Sequence, residues 1–344
     1  MRHLFEGKTI LVTGGTGSIG SEIVRQLLSH GPKAIRIFSR DEDRQHQLMQ
    51  ELFSHQSVLR FLIGDVRDKE RLAVAMDGVD IVFHAAALKQ VSLCEHNPFE
   101  AVKTNVLGTQ NIIDVAREKD VEKVIGISTD KVAEPVGVLG VSKLMAEKLF
   151  LASYYYRGNK ETKFACVRFG NVLGSRGSVL PTLKRSIERK GAVEMTDPDM
   201  TRFVMTIPQA VSLVFRAAEM MRGQEIFVLK MPSVFLRDLI TTAVAYFAPL
   251  VGKKASDILI TTVGKRSGEK KHEKLLADYE LENALETEDM YILTPLLGHA
   301  GQAYSEHYPK AKTAVPSSLY SSQNAPRLSP EELRAHIKEA DARS

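Results

Sequence analysis

The sequence has little cysteine, no tryptophan and no long apolar run. Only Cys94 and Cys166 occur among 344 residues, and neither belongs to a Cys-x-x-Cys pair or a histidine cluster. This excludes a disulfide framework and offers no zinc-ligand spacing, so we expect a reducing compartment and no metal site. No stretch of about 18 apolar residues occurs, and residues 1–7 lead into a strand without an apolar signal region. We therefore expect a soluble, cytoplasmic protein with no membrane partner.

A strong excess of one charge is also missing. The 46 basic and 42 acidic residues are scattered along the chain and give a net charge of +4. This balance does not favour nucleic acid as a partner, and an anionic small molecule is the more economical ligand. With 44% hydrophobic residues, the chain can bury the core of one large or two small domains.

A glycine-rich turn follows the first apolar run. Residues 9–12 are short and β-branched, and residues 13–20 then place glycines at 14, 17 and 20 before apolar residues recur at helical spacing. The pattern predicts a strand, a tight turn and a helix whose N-terminus binds a dinucleotide pyrophosphate, although an ordinary βα turn is the alternative for a glycine pattern alone. The expected cofactor contacts are Thr13, Gly14, Thr16, Gly17, Ser18, Ile19 and Gly20.

The second strand, residues 34–38, ends about twenty residues after this turn, where an adenosine ribose is expected. An acidic residue alone there would favour NAD. Here Ser39 and Arg40 come before Asp41, and Arg44 follows one helical turn later. Because a guanidinium pairs well with a 2′-phosphate, we expect NADP rather than NAD, with all four residues near the cofactor. The alternative is that Arg40 only decorates a surface turn.

Two further strands complete the predicted cofactor site. Residues 61–68 bring Asp65 and Val66 to a position from which a carboxylate and a backbone group can hold adenine. Residues 80–87 end in Ala85, Ala86 and Ala87, whose small side chains let the backbone pass beside the cofactor. Strands of this kind alternate with helical stretches at 68–77, 98–118 and 139–155. The alternation predicts an α/β fold with a Rossmann-type doubly wound parallel sheet and a smaller α/β domain on its C-terminal side.

Several blocks of sequence carry a family resemblance. The glycine turn, residues 84–87, the helix at 103–109 and residues 168–172 resemble extended short-chain dehydrogenases/reductases that act on nucleotide sugars. Residues 87–95, 128–131, 197–203 and 268–270 are similar to inverting UDP-N-acetylglucosamine 4,6-dehydratases of flagellin glycosylation and capsule assembly. The resemblance covers roughly residues 6–295. It implies a lyase that converts UDP-N-acetylglucosamine into a 4-keto-6-deoxy sugar nucleotide, with NADP tightly bound and recycled, and it suggests a homo-oligomer.

The usual catalytic tyrosine of this superfamily is missing. A tyrosine four residues before a lysine shares a helix face with it, so that the ammonium lowers the pKa of the phenol. Here the lysine is Lys143, and Leu139 occupies the tyrosine position. Tyr154 lies 15 residues beyond Leu139, about 22 Å along a helix, too far to substitute. Capsule-type relatives resemble this chain in lacking the tyrosine, since they have methionine at that position. The departure therefore concerns the identity of the base rather than the reaction.

Residues 129–131 follow the predicted strand 124–127 at the edge of the sheet where substrates bind. The resemblance implies that NADP+ takes the C4 hydride and later returns it to C6. Lys131, when neutral beside the cationic nicotinamide, is expected to remove the C5 hydrogen, and Asp130, when protonated, to protonate the departing hydroxyl. Thr129 is expected to bind the C4 oxygen and Lys143 the nicotinamide ribose. The alternative is that Asp130 and Lys131 form a solvated ion pair on a loop.

The resemblance also suggests the remaining contacts. Asn105, in the helix at 103–109, is an expected cofactor contact. Arginines and other polar groups are suited to the diphosphate and uridine of the substrate. The expected substrate residues are Lys89, Asn171, Val179, Arg202, Arg266 and Glu269.

Two domains are expected. An NADP-binding domain takes residues 1–170 with parts of 200–235, and a UDP-sugar domain takes residues 171–200 and 236–344 including a C-terminal tail. In that tail, Ser329 as N-cap and Pro330 in the first turn predict a helix over 329–340. Three alternatives stay open for the function. A retaining 4,6-dehydratase or a 5,6-dehydratase would differ in the fate of C5 and of the hydride. A nucleotide-sugar 4-epimerase has no use for Asp130 and Lys131. A non-catalytic NADP-sensing protein would keep the fold without turnover.

Overall fold

The centre of the molecule is a ten-stranded sheet flanked by helices. A computed structural model describes residues 2–156, 158, 161–265, 268–294, 306–315 and 320–343. The described strands are β1 (Thr9–Thr13), β2 (Ala34–Ser39), β3 (Leu59–Ile63), β4 (Ile81–His84), β5 (Lys123–Ile127), β6 (Lys163–Arg168), β7 (Asn171–Val172), β8 (Ala192–Met195), β9 (Thr201–Met205), β10 (Glu225–Leu229), β11 (Ser233–Phe235), β12 (Leu259–Thr262), β13 (Ala284–Glu286), β14 (Met290–Leu293) and β15 (Lys312–Thr313).

Helices connect most of these strands. The α-helices are α1 (Arg2–Phe5), α2 (Ser18–Leu27), α3 (Glu42–Glu51), α4 (Lys69–Ala75), α5 (Val91–His96), α6 (Pro98–Ala101), α7 (Gly108–Glu118), α8 (Val138–Ala152), α9 (Val179–Lys190), α10 (Ile207–Met220), α11 (Leu236–Leu250) and α12 (Pro330–Ala342). A π-helix, Val102–Leu107, joins α6 to α7. Short 3-10 helices lie at Leu28–His30, Phe53–His55, Asp130–Val132, Ser153–Tyr156, Ala255–Asp257 and Asp278–Asn283.

The strand order of the large sheet is β15-β13-β14-β10-β6-β5-β4-β1-β2-β3. From β3 to β10 every neighbouring pair is parallel, whereas β14 runs antiparallel to β10. All residues of β1 and β4 are buried, as expected for inner strands covered on both faces. The first six strands follow the order 3-2-1-4-5-6, which confirms the predicted doubly wound sheet.

The elements near the site differ in detail from the sequence prediction. The fourth strand ends at His84, so the three alanines that follow it lie in the loop at the sheet edge. The predicted helix 98–118 contains the π-turn between α6 and α7. A π-turn inserts an extra residue into the helix and often occurs at functional sites.

A second hydrophobic cluster lies beneath α9, α11 and α12. Leu183, Ile187, Leu239 and Ile337 are among its buried members. Two smaller sheets, β11-β9-β7 and β12-β8, accompany it. The chain returns to the large sheet at β13, β14 and β15, within the range 236–344 that the sequence prediction gave to the second domain, because β10 offers β14 an unpaired edge. The division into domains stays a prediction.

Helix α12 begins as the sequence predicts. Ser329 Oγ accepts a hydrogen bond from Glu332 N at 3.2 Å, and Glu332 Oε2 accepts one from Ser329 N at 2.8 Å. This capping box, with proline in the first turn, satisfies free amides at the helix start. Leu333 and Ile337 are buried in the second cluster, so that α12 docks on α9 and α11.

Candidate active site at the carboxyl edge of the sheet

The glycine turn packs tightly against the loop that follows β4. Gly14 has a φ of +64°, and a side chain there would come within 2.7 Å of Ala86 N. A side chain at Gly20 would strike the carbonyl oxygen of Gly14. Helix α2 then begins at Ser18 after Gly17, and no side chain caps its N-terminus. The backbone therefore forms a cradle with exposed helix amides, which fits a dinucleotide pyrophosphate.

Polar side chains gather at the end of β2. Thr16 Oγ1 and Ser39 Oγ lie 2.7 Å apart, which joins the glycine turn to the second strand. Asp41 accepts a hydrogen bond from Arg44 N and caps α3. The side chain of Arg44 is half exposed and pairs with Asp41 at 3.0 Å. Arg40, also half exposed, lies 3.4 Å from an oxygen of the Asp65 carboxylate.

The two groups expected to hold adenine already have protein partners. Asp65 accepts from Arg67 Nη2 at 2.7 Å. Val66 is buried, and its carbonyl oxygen accepts from Asn111 Nδ2 at 3.0 Å. Both residues follow β3, at the same carboxyl edge of the parallel sheet as the glycine turn and the loop of the three alanines.

Asn105 is fully buried and serves as a brace. Its Oδ1 accepts from Leu88 N at 2.8 Å, and its Nδ2 donates to Leu88 O and Ser142 Oγ at 3.1 Å each. The π-helix that carries Asn105 is thus fixed to both the loop after β4 and helix α8. Sequence reasoning expected a cofactor contact here, whereas the observed hydrogen bonds give Asn105 a positioning role for that loop.

Lys143 reaches from α8 to the end of β5. Its Nζ donates to the carbonyl oxygen of Ile127 at 2.6 Å, and the residue is 8% exposed. Burial lowers the pKa of Lys143. Leu139, one turn earlier, is buried against Cys94 and Ala101, so an apolar side chain fills the space of the missing phenol.

Glu95 fixes the start of α8, a role that sequence reasoning missed. Its Oε1 accepts a hydrogen bond from Val138 N at 2.7 Å. A carboxylate at this end of a helix is favoured because of the free amides and the helix dipole. The contact spans 43 residues of chain, and a helix N-cap is normally sought only in the residue directly before the helix.

Thr129, Asp130 and Lys131 lie directly after β5. Asp130 is fully buried, and its Oδ1 accepts from Thr129 Oγ1 and from Lys131 Nζ, each at 3.0 Å. The backbone is fastened to the end of β6, because Asp130 N donates to Phe169 O at 3.0 Å. The Lys131 side chain is only 29% exposed. These contacts describe a buried pair at the sheet edge rather than a solvated loop pair.

Glu273 joins this pair from a distant part of the chain. It is 4% exposed, and its Oε1 lies 3.9 Å from Lys131 Nζ. Burial lowers the pKa of Lys131, but the charges of Asp130 and Glu273 outweigh it and raise that pKa overall. In the protein alone Lys131 is therefore an ammonium. We call Asp130, Lys131 and Glu273 the acid–base cluster.

A second buried network of charged residues is attached to helix α8 through Glu147. Arg168 is fully buried, with hydrogen bonds to Glu147 at 2.7 and 3.2 Å and to Glu280 at 2.8 and 2.9 Å. Glu147 lies on α8 one turn after Lys143. Burial lowers the pKa of Arg168, but the two carboxylates outweigh it and raise the pKa overall. The network ties α8 to β6 and to the turn at Asp278–Asn283.

Three of the expected substrate residues lie on β7, α9 and β9. Asn171 is exposed in β7, and Val179 is the first residue of α9. Arg202, in β9, donates to Thr201 O at 2.7 Å and to Lys271 O at 3.2 Å. Its charge acts on both Lys131 and Glu273, so Arg202 lies near the acid–base cluster.

Lys89, Arg176 and Arg44 bring three positive charges near the glycine turn. Desolvation, followed by the charges of Arg176 and Arg44, lowers the pKa of Lys89. Arg176 N donates to Ser18 Oγ at 2.9 Å, and its guanidinium donates to Thr16 O. A region of this charge fits an anionic ligand.

Glu269 and Arg266 are the last two of the expected substrate residues. Glu269 is partly buried and makes an interaction with the protein. Arg266 lies outside the described residues.

Among the residues that the structure describes, no group of three or more His, Cys, Asp or Glu can hold a metal ion. No helix in the described ranges has the length and apolarity needed to span a membrane.

The chain is similar to proteins of a known family. The model of the polysaccharide biosynthesis protein family matches residues 10–295. An uncharacterized membrane protein of Methanocaldococcus jannaschii is 50% identical over 337 residues, covering 98% of this chain and 97% of its own. An inverting UDP-N-acetylglucosamine 4,6-dehydratase of Campylobacter jejuni is 41% identical, with 95% and 96% covered.

Further relatives have a different activity in their names. A UDP-glucose 4-epimerase of Rickettsia rickettsii is 38% identical over 341 residues, covering 96% of this chain and 95% of its own. The X-ray structure of Pen from Bacillus thuringiensis matches with a TM-score of 0.90 and 40% identity, covering 98% of both chains. The similarity thus extends over nearly the whole chain.

Proposed function

The chain belongs to the polysaccharide biosynthesis protein family of extended short-chain dehydrogenases/reductases, and from that membership we propose that it is an NADP-dependent UDP-N-acetylglucosamine 4,6-dehydratase. The Asp130–Lys131 pair, at the same carboxyl edge of the sheet as the dinucleotide cradle, carries the proposal. Expulsion of water from a sugar needs an acid and a base at adjacent carbons, and this pair offers both within one hydrogen bond. The Campylobacter dehydratase, 41% identical, supports the choice of substrate.

When bound, an oxidised nicotinamide would supply a hydride acceptor for C4 and a hydride donor for C6; the C4 hydroxyl releases one proton and C5 later takes one up, so the net redox change is zero. In this proposal Thr129 binds the C4 oxygen, and Lys143 binds the nicotinamide ribose. Lys143 is suited to that role because its Nζ is held by Ile127 O and has two further N–H groups to donate. Oxidation at C4 acidifies the C5 hydrogen, which prepares the site for loss of water.

Asp130 and Lys131 then act as one unit. In the protein alone, the proton of the pair resides on Lys131, whose pKa is raised despite its burial. Transfer of that proton along the 3.0 Å hydrogen bond to Asp130 Oδ1 creates a neutral amine and a carboxylic acid. A bound oxidised nicotinamide closer to Lys131 than to Asp130 would favour this transfer, because its positive charge would lower the pKa of the ammonium more than it opposes protonation of the carboxylate. The amine removes the C5 hydrogen, and the acid protonates the C6 oxygen.

The preference for NADP rests on the end of β2. Arg40 and Arg44 each have a half-exposed guanidinium there. Ser39 and Arg40 precede the first carboxylate after β2, Asp41. Asp41 is already paired with Arg44. A 2′-phosphate can replace Asp41 as the partner of Arg44 with paired charged hydrogen bonds. For the substrate, we propose contacts from Lys89, Asn171, Val179, Arg202, Arg266 and Glu269.

The decisive experiment incubates the purified protein with UDP-N-acetylglucosamine and NADP+ and follows the product by mass spectrometry. We expect loss of one water from the sugar, with NMR giving an inverted C5. Lys131→Ala should abolish the loss of water. Lys274→Ala is the matched control, since Lys274 also pairs with carboxylates, Glu134 and Asp278, but lies outside the acid–base cluster.

The alternatives have distinct outcomes in the same experiment. The epimerases among the relatives make 4-epimerisation the second candidate, and it gives an isomer of unchanged mass. A retained C5 identifies a retaining dehydratase, and a 5,6-alkene that receives no hydride identifies a 5,6-dehydratase. Binding of NADP without any product identifies a non-catalytic protein. Any of these results contradicts the proposal.

A further inference from the structure

Glu273 lies beside the Asp130–Lys131 pair although it is 143 residues from Asp130 and 142 residues from Lys131 along the chain. Its side chain is 5% exposed, and Oε1 is 3.9 Å from Lys131 Nζ. Asp130 is closer to the same ammonium, with Oδ1 at 3.0 Å. One ammonium therefore faces two buried carboxyl groups.

The charges in this cluster do not balance if both carboxyl groups are ionised. Asp130 Oδ2 and Glu273 Oε2 are buried, and neither has a hydrogen-bond partner among the described residues. A second carboxylate in a desolvated site takes up a proton rather than stay uncompensated. Burial and then the charge of Asp130 raise the pKa of Glu273, against the opposing charges of Lys131, Arg202 and Lys270.

The backbone holds Glu273 firmly in this position. Glu273 N donates to Ser322 Oγ at 2.9 Å, and Ser322 N donates to Glu273 O at 2.7 Å. Ser322 Oγ is also 2.7 Å from Thr201 Oγ1, which lies 2.8 Å from Nδ1 of the neighbouring His272. The charged and titratable groups around Glu273 thus come from the turn after β5, from β9 and from its own loop.

We propose that Glu273 is a positioning residue whose proton controls proton transfer between Lys131 and Asp130, a role that rests on the proposed dehydratase chemistry. While Glu273 is neutral, Lys131 has one carboxylate partner and can pass its proton to Asp130 Oδ1. When Glu273 ionises, a second negative charge 3.9 Å from Nζ holds the proton on Lys131. The neutral amine and the acid are then no longer formed.

Every proton that the cluster gives or takes during the loss of water is accounted for. The C5–H electrons form the C5–C6 double bond, and the proton goes to the Lys131 amine. The C6–O bond breaks with its electrons on oxygen, which takes the proton of Asp130 and leaves as water. The cluster ends as ammonium, carboxylate and neutral Glu273, the state from which it began.

The pH dependence of turnover tests this role. Since neutral Glu273 is the active form, kcat should fall as the pH rises through the raised pKa of Glu273. One pH unit above the midpoint, the wild-type rate should be about one tenth of its plateau value. Glu273→Gln is neutral at every pH, so its rate should stay on its own plateau there. Glu134→Gln is the matched control, a carboxylate paired with Lys274 outside the cluster, and it should keep the wild-type midpoint.

Other outcomes overturn the proposal. A merely structural role would lower the plateau of E273Q but leave the alkaline fall in place. An E273Q enzyme that binds UDP-sugar and NADP but is inactive at every pH would make Glu273 itself the proton donor. If E273Q does not fold, Glu273→Asp is the second variant. It keeps a titrating carboxyl farther from Lys131, so the alkaline fall should persist at a shifted midpoint, and an unshifted midpoint contradicts the role.

Infrared spectroscopy gives a second readout without substrate. At a pH below the midpoint of the kcat profile, wild type should show the carbonyl stretch of the protonated Glu273 carboxyl, and E273Q should lack that band. Identical spectra would overturn the proposal whether or not the protein releases water. Failure of the proposed function is recognised separately, because wild type would then give no dehydrated product.

Discussion

Replacing Arg168 by methionine removes the positive centre of the buried network under helix α8. Arg168, Glu147 and Glu280 have side chains that are 0%, 1% and 7% exposed. The guanidinium makes four hydrogen bonds to the two carboxylates and one to Leu275 O. Without it, two carboxyl groups stay in the interior with no opposite charge. We expect the free energy of unfolding to fall by about 3–5 kcal/mol, the usual cost of breaking a buried ion pair by removing one partner.

Chemical denaturation of wild type and Arg168→Met measures this loss directly. Arg237→Met is the matched control, because Arg237 pairs with Asp199 at 3.1 Å on the surface with both side chains about half exposed. That control should lose less than about 1 kcal/mol. A third variant, Arg168→Met with Glu147→Gln and Glu280→Gln, should recover stability, since amides remove the uncompensated charges. Arg168→Met that loses no more than the surface control would refute the reasoning.

The loss should also depend on pH. In Arg168→Met the two carboxyls lose their partner, and burial favours the neutral form over the charged form. The folded variant then binds more protons than its unfolded chain, so its stability falls as pH rises and partly returns as pH falls. Denaturation midpoints at acid and alkaline pH check this sign. A variant that becomes less stable relative to wild type in acid would contradict it.

The remaining predictions concern the cofactor and the last helix. Gly14→Ala should abolish dinucleotide binding in a titration, because its side chain would meet backbone at 2.7 Å, whereas Gly7→Ala has the same sign of φ but open space and should only lose about 1–2 kcal/mol of stability. Arg44→Ala should weaken NADP by roughly tenfold or more and leave NAD affinity unchanged; an equal loss for both cofactors would contradict its 2′-phosphate role. Ser329→Ala should cost about 1 kcal/mol in thermal denaturation, and no loss would mean that the hydrogen bonds to Glu332 contribute nothing.

Local patterns predicted the parts of the fold that local physics determines. The glycine turn before α2, the parallel strands β1 to β5 and the Ser329 cap each depend on residues within one turn or one strand. The position of Asp130 and Lys131 at the sheet edge followed from their place after β5. The path of the chain after β12 did not follow, because β14 joins β10 through an edge pairing that no turn in the sequence specifies.

The residues that sequence reasoning missed all act over long separations. Glu273 meets Lys131, Glu95 caps α8, and Arg168 meets Glu280 across 112 residues. A single charged residue in each case has no periodicity or spacing that points to its partner. Asn105 stays a predicted cofactor residue, and its hydrogen bonds to Leu88 and Ser142 could only be read from the packing of the π-helix.

The link between Ser322 and Glu273 has a consequence for the order of events during synthesis. Strands β1 to β5 emerge from the ribosome long before Ser322, which fixes Glu273 through one backbone–backbone hydrogen bond and one hydrogen bond from Glu273 N to the Ser322 hydroxyl. The position of Glu273 beside Lys131 is therefore completed only after the last few dozen residues have been synthesised.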